Sequence, residues 1–544
     1  MPTEIQSSHK AADSSVVETI QSLVVAFVLA MTFRSFVTEG FVIPTGSMAP
    51  TLLGEHVLWH SDQTGATFPI GWDGTRNRQR VYGDEIKDPM LGDDYKLQDV
   101  RRRELHARMG DRVLVLKSLY LVSEPDRFDV VVFKNPTDPT GDAANYIKRL
   151  IGLPSEKIWL ADGDVFAGDA SEPGMEGYSV QRKPEHVQRA VWQPVYDSDY
   201  FPVAPAELAP PFDGPQWRGE QWETDARRSY VCRTAEPTSL TWDNNLRRLS
   251  DWNSYNMLMP PPNYDPDDVS DVRISAAVVA DDPAALGMTL RLKARRHVFE
   301  FIITSGQALV RMRPDFDDQL PWETSEAKKI SLPGGGKVFN VEFWHVDQSL
   351  AIFIDGKRVA GHEYEWTPAQ RLMYAADELF ADENDIEAIG ELTDNRKLPP
   401  AIEWSFQGSP VTLHRVRLDR DLYYKVDEYR GGRRRNSTQP GFEHLTSPIA
   451  HRLNPAYGTH PLRPAVLNSD QFFMLGDNSA ASSDGRLWGN PHSLVATQID
   501  PAPFVVNRKL LLGKAWVVYF PAPHPVKEGG PGVILDFGRL RFIR

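Results

Sequence analysis

Ser47 and Lys148 are the two residues of this chain whose types and settings could perform acyl transfer together. The serine lies in Gly40-Phe41-Val42-Ile43-Pro44-Thr45-Gly46-Ser47-Met48-Ala49-Pro50-Thr51-Leu52, a tight turn between an apolar strand and a Pro-terminated segment. The lysine lies in Asn145-Tyr146-Ile147-Lys148-Arg149-Leu150-Ile151-Gly152, with apolar neighbours on both sides. A serine hydroxyl is a poor nucleophile until a base takes its proton. Lysine can be that base when burial lowers its pKa toward neutrality, because an apolar site disfavours the ammonium form. The oxyanion that forms needs hydrogen-bond donors, and the backbone N–H of Ser47 is one candidate. Read singly, Ser47 is better explained as a loop serine and Lys148 as a surface lysine beside Arg149. A third segment, Phe472-Phe473-Met474-Leu475-Gly476-Asp477-Asn478-Ser479-Ala480-Ala481-Ser482-Ser483-Asp484-Gly485-Arg486, changes that balance.

In this order the three segments resemble the bacterial signal peptidase I family. A fourth family block also appears, as Gly110-Asp111-Arg112-Val113-Leu114-Val115 and then Asp129-Val130-Val131-Val132-Phe133-Lys134. The resemblance covers residues ~16–56, ~105–165 and ~465–525, less than half of the chain. It implies Ser47 as nucleophile, Lys148 as general base and the Thr45 hydroxyl as a second oxyanion donor. It implies that Ser482 hydrogen-bonds and orients the lysine, and that Asp484 and Arg486 form a bracing ion pair. Gly485 replaces the serine usual between them. Gly476-Asp477-Asn478 would form the turn that carries Ser482 toward Lys148. An extended leader peptide would add to the strands entering the two boxes, past Ile43, Pro44, Tyr146 and Ile147. Met48 and Ile147 would line shallow pockets for small side chains. The implied activity is removal of signal peptides from exported preproteins, with the amino terminus in the cytoplasm and the catalytic part across the membrane.

Composition narrows the other options. The chain has 544 residues, which suggests two or three domains. Its formal charge of −14 gives no reason to expect a nucleic-acid partner. Cys232 is the single cysteine, so an intramolecular disulfide and a multi-thiolate zinc site are excluded. No His-Glu-x-x-His run occurs, and Gly334-Gly335-Gly336-Lys337 lacks the rest of a phosphate-binding loop. Neither a metal nor a cofactor is expected. A self-cleaving repressor of the Ser/Lys type is a competing enzyme reading, opposed by the apolar segment near the amino terminus. A membrane-tethered binding protein with a relict peptidase part is a third, opposed by intact Ser47, Lys148, Ser482 and Asp484.

The elements that must position these residues are mainly β. Residues 1–15 read as a cytoplasmic tail and 16–35 as one transmembrane anchor, apolar from Val16 to Phe33. Only 14 residues separate Phe33 from Ser47, which tethers the serine within ~50 Å of the bilayer. Residues 36–165 and 465–525 form a split catalytic domain, with strands at Phe41–Ile43, Val113–Leu116, Val130–Phe133 and Trp516–Phe520. Residues 54–109 are an inserted loop or subdomain, with a charged helical piece over Leu97–Met109. Residues 166–464 are a larger insertion, Pro-rich at first and carrying a β-sandwich from about 270 to 425. Its short alternating strands, such as Val411–Leu418, and the Asp355-Gly356 hairpin signal resemble a laminin-G or concanavalin-like jelly roll. A sandwich of that size leaves room for a ligand of its own. Residues 526–544 read as a C-terminal tail following a flexible linker.

Overall fold

A computed structural model describes residues 7–36, 38–72, 86–92, 96–97, 107–141, 144–172, 174–208, 212, 214–224, 228–258, 264–304, 306–377, 385–393, 397–426, 455–525, 533–534 and 536–544. The chain begins with a helix, α1 (Ser7–Phe36). Where its side chains are described they face outward, including Val16, Ile20, Leu23, Phe27 and Leu29. Among the described residues no helix is long and apolar enough to cross a membrane.

Six strands frame the serine and lysine segments: β1 (Thr38–Val42), β2 (Arg112–Leu116), β3 (Val130–Lys134), β4 (Asn145–Gly152), β5 (Gln471–Leu475) and β6 (Leu511–Phe520). They run in the order β1-β2-β6-β3-β4-β5, with Val506–Asn507 beside β5 and Arg541–Phe542 on β6. The β-branched runs Val113–Val115 and Val130–Val132 form strands because such side chains pack well on a pleated, buried surface. Their register is fixed by which face is covered. Val113, Val115, Val130 and Val132 join Ile43, Met48 and Leu52 in one core, while Val131, Phe133 and Leu150 turn to the other side with Phe472 and Met474.

The short apolar end of the C-terminal tail docks on β6. Arg541–Phe542 pairs with Val517–Val518 of β6, and Ile543 is buried in the same core as Met48. The Arg541 guanidinium donates to the Thr51 carbonyl at 2.7 Å and to Asp111 at 3.2 Å, which explains the docking. The expected helix over Leu97–Met109 falls largely outside the described residues; Lys96–Leu97 pairs as a strand with Ile86–Lys87. Within 54–109, His56–His60 and Thr67–Gly71 form a hairpin.

The large insertion leaves through a small sheet. Glu156–Ala161 pairs with Asp164–Asp169 on one side and with Ala465–Val466, on the return path, on the other. Beyond it, two eight-stranded antiparallel sheets stack over a shared core that includes Ile274, Phe343 and Leu413 from one and Leu290, Phe301 and Trp404 from the other. Val272–Ala280 alternates buried and half-buried positions along its whole length, as a strand with one covered face must. The sandwich begins earlier than the expected boundary near 270. Gln193–Asp197, Trp222–Thr224 and Tyr230–Cys232 belong to one sheet, and Trp217–Arg218 and Thr238–Trp242 to the other. Those strands are five residues long at most, too short for an alternating pattern to announce them.

The sandwich is bolted to the small sheet by buried ions. Arg295 contacts Asp162 at 2.6 Å and Asp271 at 3.1 Å, and Arg371 contacts Asp164 at 2.7 Å and Asp271 at 2.6 Å. Removing one partner from such a group leaves an uncompensated buried charge, which costs about 3–5 kcal/mol.

Candidate active site

Ser47 sits in a single 3-10 turn, Gly46–Met48, between the end of β1 and Ala49. The Ala49 N–H donates to the Gly46 carbonyl at 3.0 Å and closes the turn. Lys148 is on β4 opposite Val131, so it shares a face with Tyr146. Its Nζ lies 5.4 Å from the Tyr146 ring centre and donates to Ser47 Oγ at 2.5 Å. Both residues are buried, Lys148 to 3 % exposure. Burial pushes the Lys148 pKa down to about 8, against the pull of Asp484 and Asp477 and with the help of Arg486. Two residues 101 positions apart thus meet as a buried hydroxyl and a weakened ammonium.

The third segment braces this pair. Asp484 and Arg486 are both fully buried, joined at 2.9 and 2.8 Å. Burial alone would raise the Asp484 pKa, but the Arg486 guanidinium holds it below the usual carboxylate range. Asp484 also accepts from the Gly476 N–H at 3.1 Å, and Arg486 donates to the Ser479 hydroxyl and the Lys425 carbonyl. Asp477 takes both arms of Arg149, at 2.7 and 2.6 Å, and accepts from the Thr51 hydroxyl at 2.6 Å. The turn after β5 is thereby locked to β4 and to the segment following the serine.

Ser482 departs from expectation. Its hydroxyl is buried and has no hydrogen-bond partner among the described residues, while the Lys148 ammonium donates to Ser47 instead. A Cβ on Gly476 would fall 2.2 Å from Ser482 Oγ and 2.4 Å from the Ser47 carbonyl oxygen, so Ser482 does reach the surroundings of Ser47. Thr45 and Pro44 are exposed, and the Thr45 side chain caps no backbone group. Ile43, Met48 and Ile147 share one apolar cluster beside the pair, and Tyr146 packs against Phe133 and Trp488.

Sequence reasoning passed over Arg149, Asn478, Tyr255 and Asn256. Arg149 and Asn478 adjoin residues already chosen, and their full burial is the part the sequence did not reveal. The Asn478 N–H donates to the Ser47 carbonyl at 3.1 Å, and its side chain to the Gly46 carbonyl at 3.0 Å. Tyr255 and Asn256 come from the insertion, where nothing in the pattern marks them.

Residues 16–92 and 103–201 match the signal peptidase family, peptidase S26. Those residues include Ser47 and Lys148 but not the third segment. Signal peptidase I of Rickettsia rickettsii (strain Sheila Smith) is 30% identical over 146 residues, which is 26% of this chain and 41% of that protein. Signal peptidase I of Rickettsia typhi (strain ATCC VR-144 / Wilmington) is 27% identical over 157 residues, 29% of this chain and 45% of that protein. The chain thus spans less than half the length of these relatives. The carbohydrate binding module CBM66 from Bacillus subtilis overlaps 38% of this chain and 95% of its own, with 7% identity and a TM-score of 0.22. That similarity is too slight to bear on function.

Proposed function

We propose that this chain is a membrane-anchored serine endopeptidase that removes signal peptides from exported preproteins by an acyl-enzyme mechanism. The observation that carries the reading is the 2.5 Å contact between Lys148 Nζ and Ser47 Oγ in a buried site that lowers the lysine pKa to about 8. Neutral Lys148 accepts the Ser47 proton as Oγ attacks the scissile carbonyl. The Ser47 N–H and the Thr45 hydroxyl are the donors for the oxyanion. The ammonium of Lys148 then protonates the leaving amine, and the amine activates a water that hydrolyses the ester. Asp484 and Arg486 hold the turn that packs against Ser47, Asp477 does the same through Arg149, and Ser482 lies close enough to Gly476 to join that packing.

Two free sheet edges flank the pair. Among the described residues β1 is the terminal strand and pairs only with β2. β5 pairs with Arg149, Leu150 and Gly152 of β4, so Asn145–Lys148 has no partner on that side among the described residues. An extended peptide laid between these edges satisfies its own backbone groups and brings one carbonyl to Ser47. Half-buried Ile147 offers apolar surface suited to small side chains, whereas Met48 and Ile43, 0% and 2% exposed, lie in the core beneath and do not line a pocket as expected. Helix α1, apolar through Phe33, is the anchor in this reading: Val16 to Phe33 rises about 27 Å, close to the hydrocarbon thickness. The catalytic part then faces the extracytoplasmic side.

The test is cleavage of a preprotein with a defined leader by the full chain in detergent or liposomes. Ser47→Ala and Lys148→Ala each reduce the rate by at least 1000-fold, on the scale of losing one member of a catalytic set. Either variant cutting at the wild-type rate removes the dyad from the mechanism.

A further inference from the structure

The insertion packs against the turn that carries Ser47. The short 3-10 turn Ser254–Asn256 is capped by the Asn253 side chain, which accepts from the Tyr255 N–H at 2.9 Å. From that turn Asn256 faces Asn478, and the two amides exchange both hydrogen bonds at 2.8 Å. Asn256 is 6 % and Asn478 3 % exposed, so water does not substitute for either partner. The second N–H of the Asn478 amide is the one that holds the Gly46 carbonyl. Tyr255 closes the other side. Its ring packs with Ala49 and Leu53, and its hydroxyl donates to the Glu55 carbonyl at 2.8 Å. A Cβ on Gly46 would sit 2.0 Å from Cε1 of that ring, so only glycine fits beneath it.

We propose that Asn256 is a positioning residue for the nucleophile. It fixes the orientation of the Asn478 amide, which in turn fixes the Gly46–Met48 turn that aims Ser47 Oγ at Lys148. This rests on the reading of Ser47 as nucleophile and deepens it, because it makes the insertion a structural part of the catalytic site. An Asn478 amide without its partner leaves a buried acceptor unsatisfied. Rotation of that amide to find another partner releases the Gly46 carbonyl. Misplacement of a reacting atom by about 1 Å costs on the order of 100-fold in rate.

The experiment compares Asn256→Ala and Asn256→Asp with wild type in the full chain. Asn256→Asp keeps the shape of the side chain but sets an acceptor against the Asn478 carbonyl oxygen. Both variants lower kcat for a leader-peptide substrate by about 10- to 100-fold with KM within twofold. Both also speed hydrogen exchange in the peptide covering residues 46–52, where the Ala49 N–H reports on the Gly46 carbonyl. Val341→Ala, deep in the sandwich core, supplies a destabilised variant whose kcat and exchange at 46–52 stay at wild-type values. A folded Asn256→Asp protein with wild-type kcat and wild-type exchange overturns the proposal. The exchange arm does not depend on catalysis, so a Ser47→Ala protein that still cleaved would refute the proposed activity while the positioning claim was decided separately.

Discussion

The pH dependence of cleavage tests the Lys148 assignment most directly. An ordinary lysine, with a pKa near 10.5, is neutral in about three molecules per ten thousand at pH 7. With its pKa lowered to about 8, Lys148 is neutral in about one molecule in ten, a gain of about 300-fold in available base. The logarithm of kcat/KM should therefore rise with unit slope from pH 6, bend near 8 and level off above. Desolvation is the largest cause of the shift, and the Tyr146 ring 5.4 Å from Nζ is part of the dry wall. Tyr146→Ala admits water, weakens that penalty and moves the bend upward by about half a unit to one unit. At pH 7 the variant loses about 3- to 10-fold in rate, and by pH 10 it approaches the wild-type plateau. The assay is initial-rate cleavage of one leader substrate in detergent micelles across pH 6–10. A bend near 6.5 would point to histidine, a flat profile to no titrating base, and an unmoved bend in Tyr146→Ala to a cause other than desolvation. Any of these refutes the reasoning.

Three further outcomes follow from the same contacts. At pH 7 the folded protein holds Lys148 charged against its depressed pKa, so stability is lower there and rises as pH climbs from about 8 to about 10.5; the difference of 2.5 units corresponds to about 3 kcal/mol. Lys148→Met removes that penalty and raises the denaturation midpoint at pH 7 while abolishing cleavage; a lowered midpoint counts against the buried cation. Asp477→Ala strands the Arg149 guanidinium, which also donates to the Phe128 carbonyl, and lowers unfolding free energy by about 3–5 kcal/mol in denaturant titration. Gly485→Ser, which restores the side chain common in the resembled family, places a Cβ 2.8 Å from the Phe473 ring and 3.0 Å from the Met474 carbonyl; it destabilises by about 1–3 kcal/mol, measured as a fall in Tm.

The residues proposed to do the chemistry were the most legible. Ser47 and Lys148 could be chosen because hydroxyl and amine are needed at defined places, and local boxes carry that need. β2 and β3 were readable from β-branched runs, and the Asp355-Gly356 turn from its residue types, with φ of 47° and 75° as a left-handed hairpin turn requires. The neighbouring hairpins were opaque for the same reason. Arg295-Arg296 and Asp347-Gln348 also adopt positive φ without a glycine. They are held there by distant partners, Asp162 and Asp271 for Arg295 and Lys183 for Asp347, and no local pattern encodes such partners. Asn256 was invisible for a related reason: a buried amide matters only through the amide it meets 222 positions away. Ser482 was located near the site by its box, but which atom it bonds depends on packing around Gly476.

Arg149 and Asp477 are 328 positions apart, yet Ala465 pairs directly with Ile158 in the small sheet that forms the neck of the insertion. Closing a disordered loop of that length would cost about 5 kcal/mol in chain entropy. A folded sandwich whose ends adjoin at this neck relieves most of that cost, so the long insertion joins the two segments around Ser47 and Lys148 instead of holding them apart.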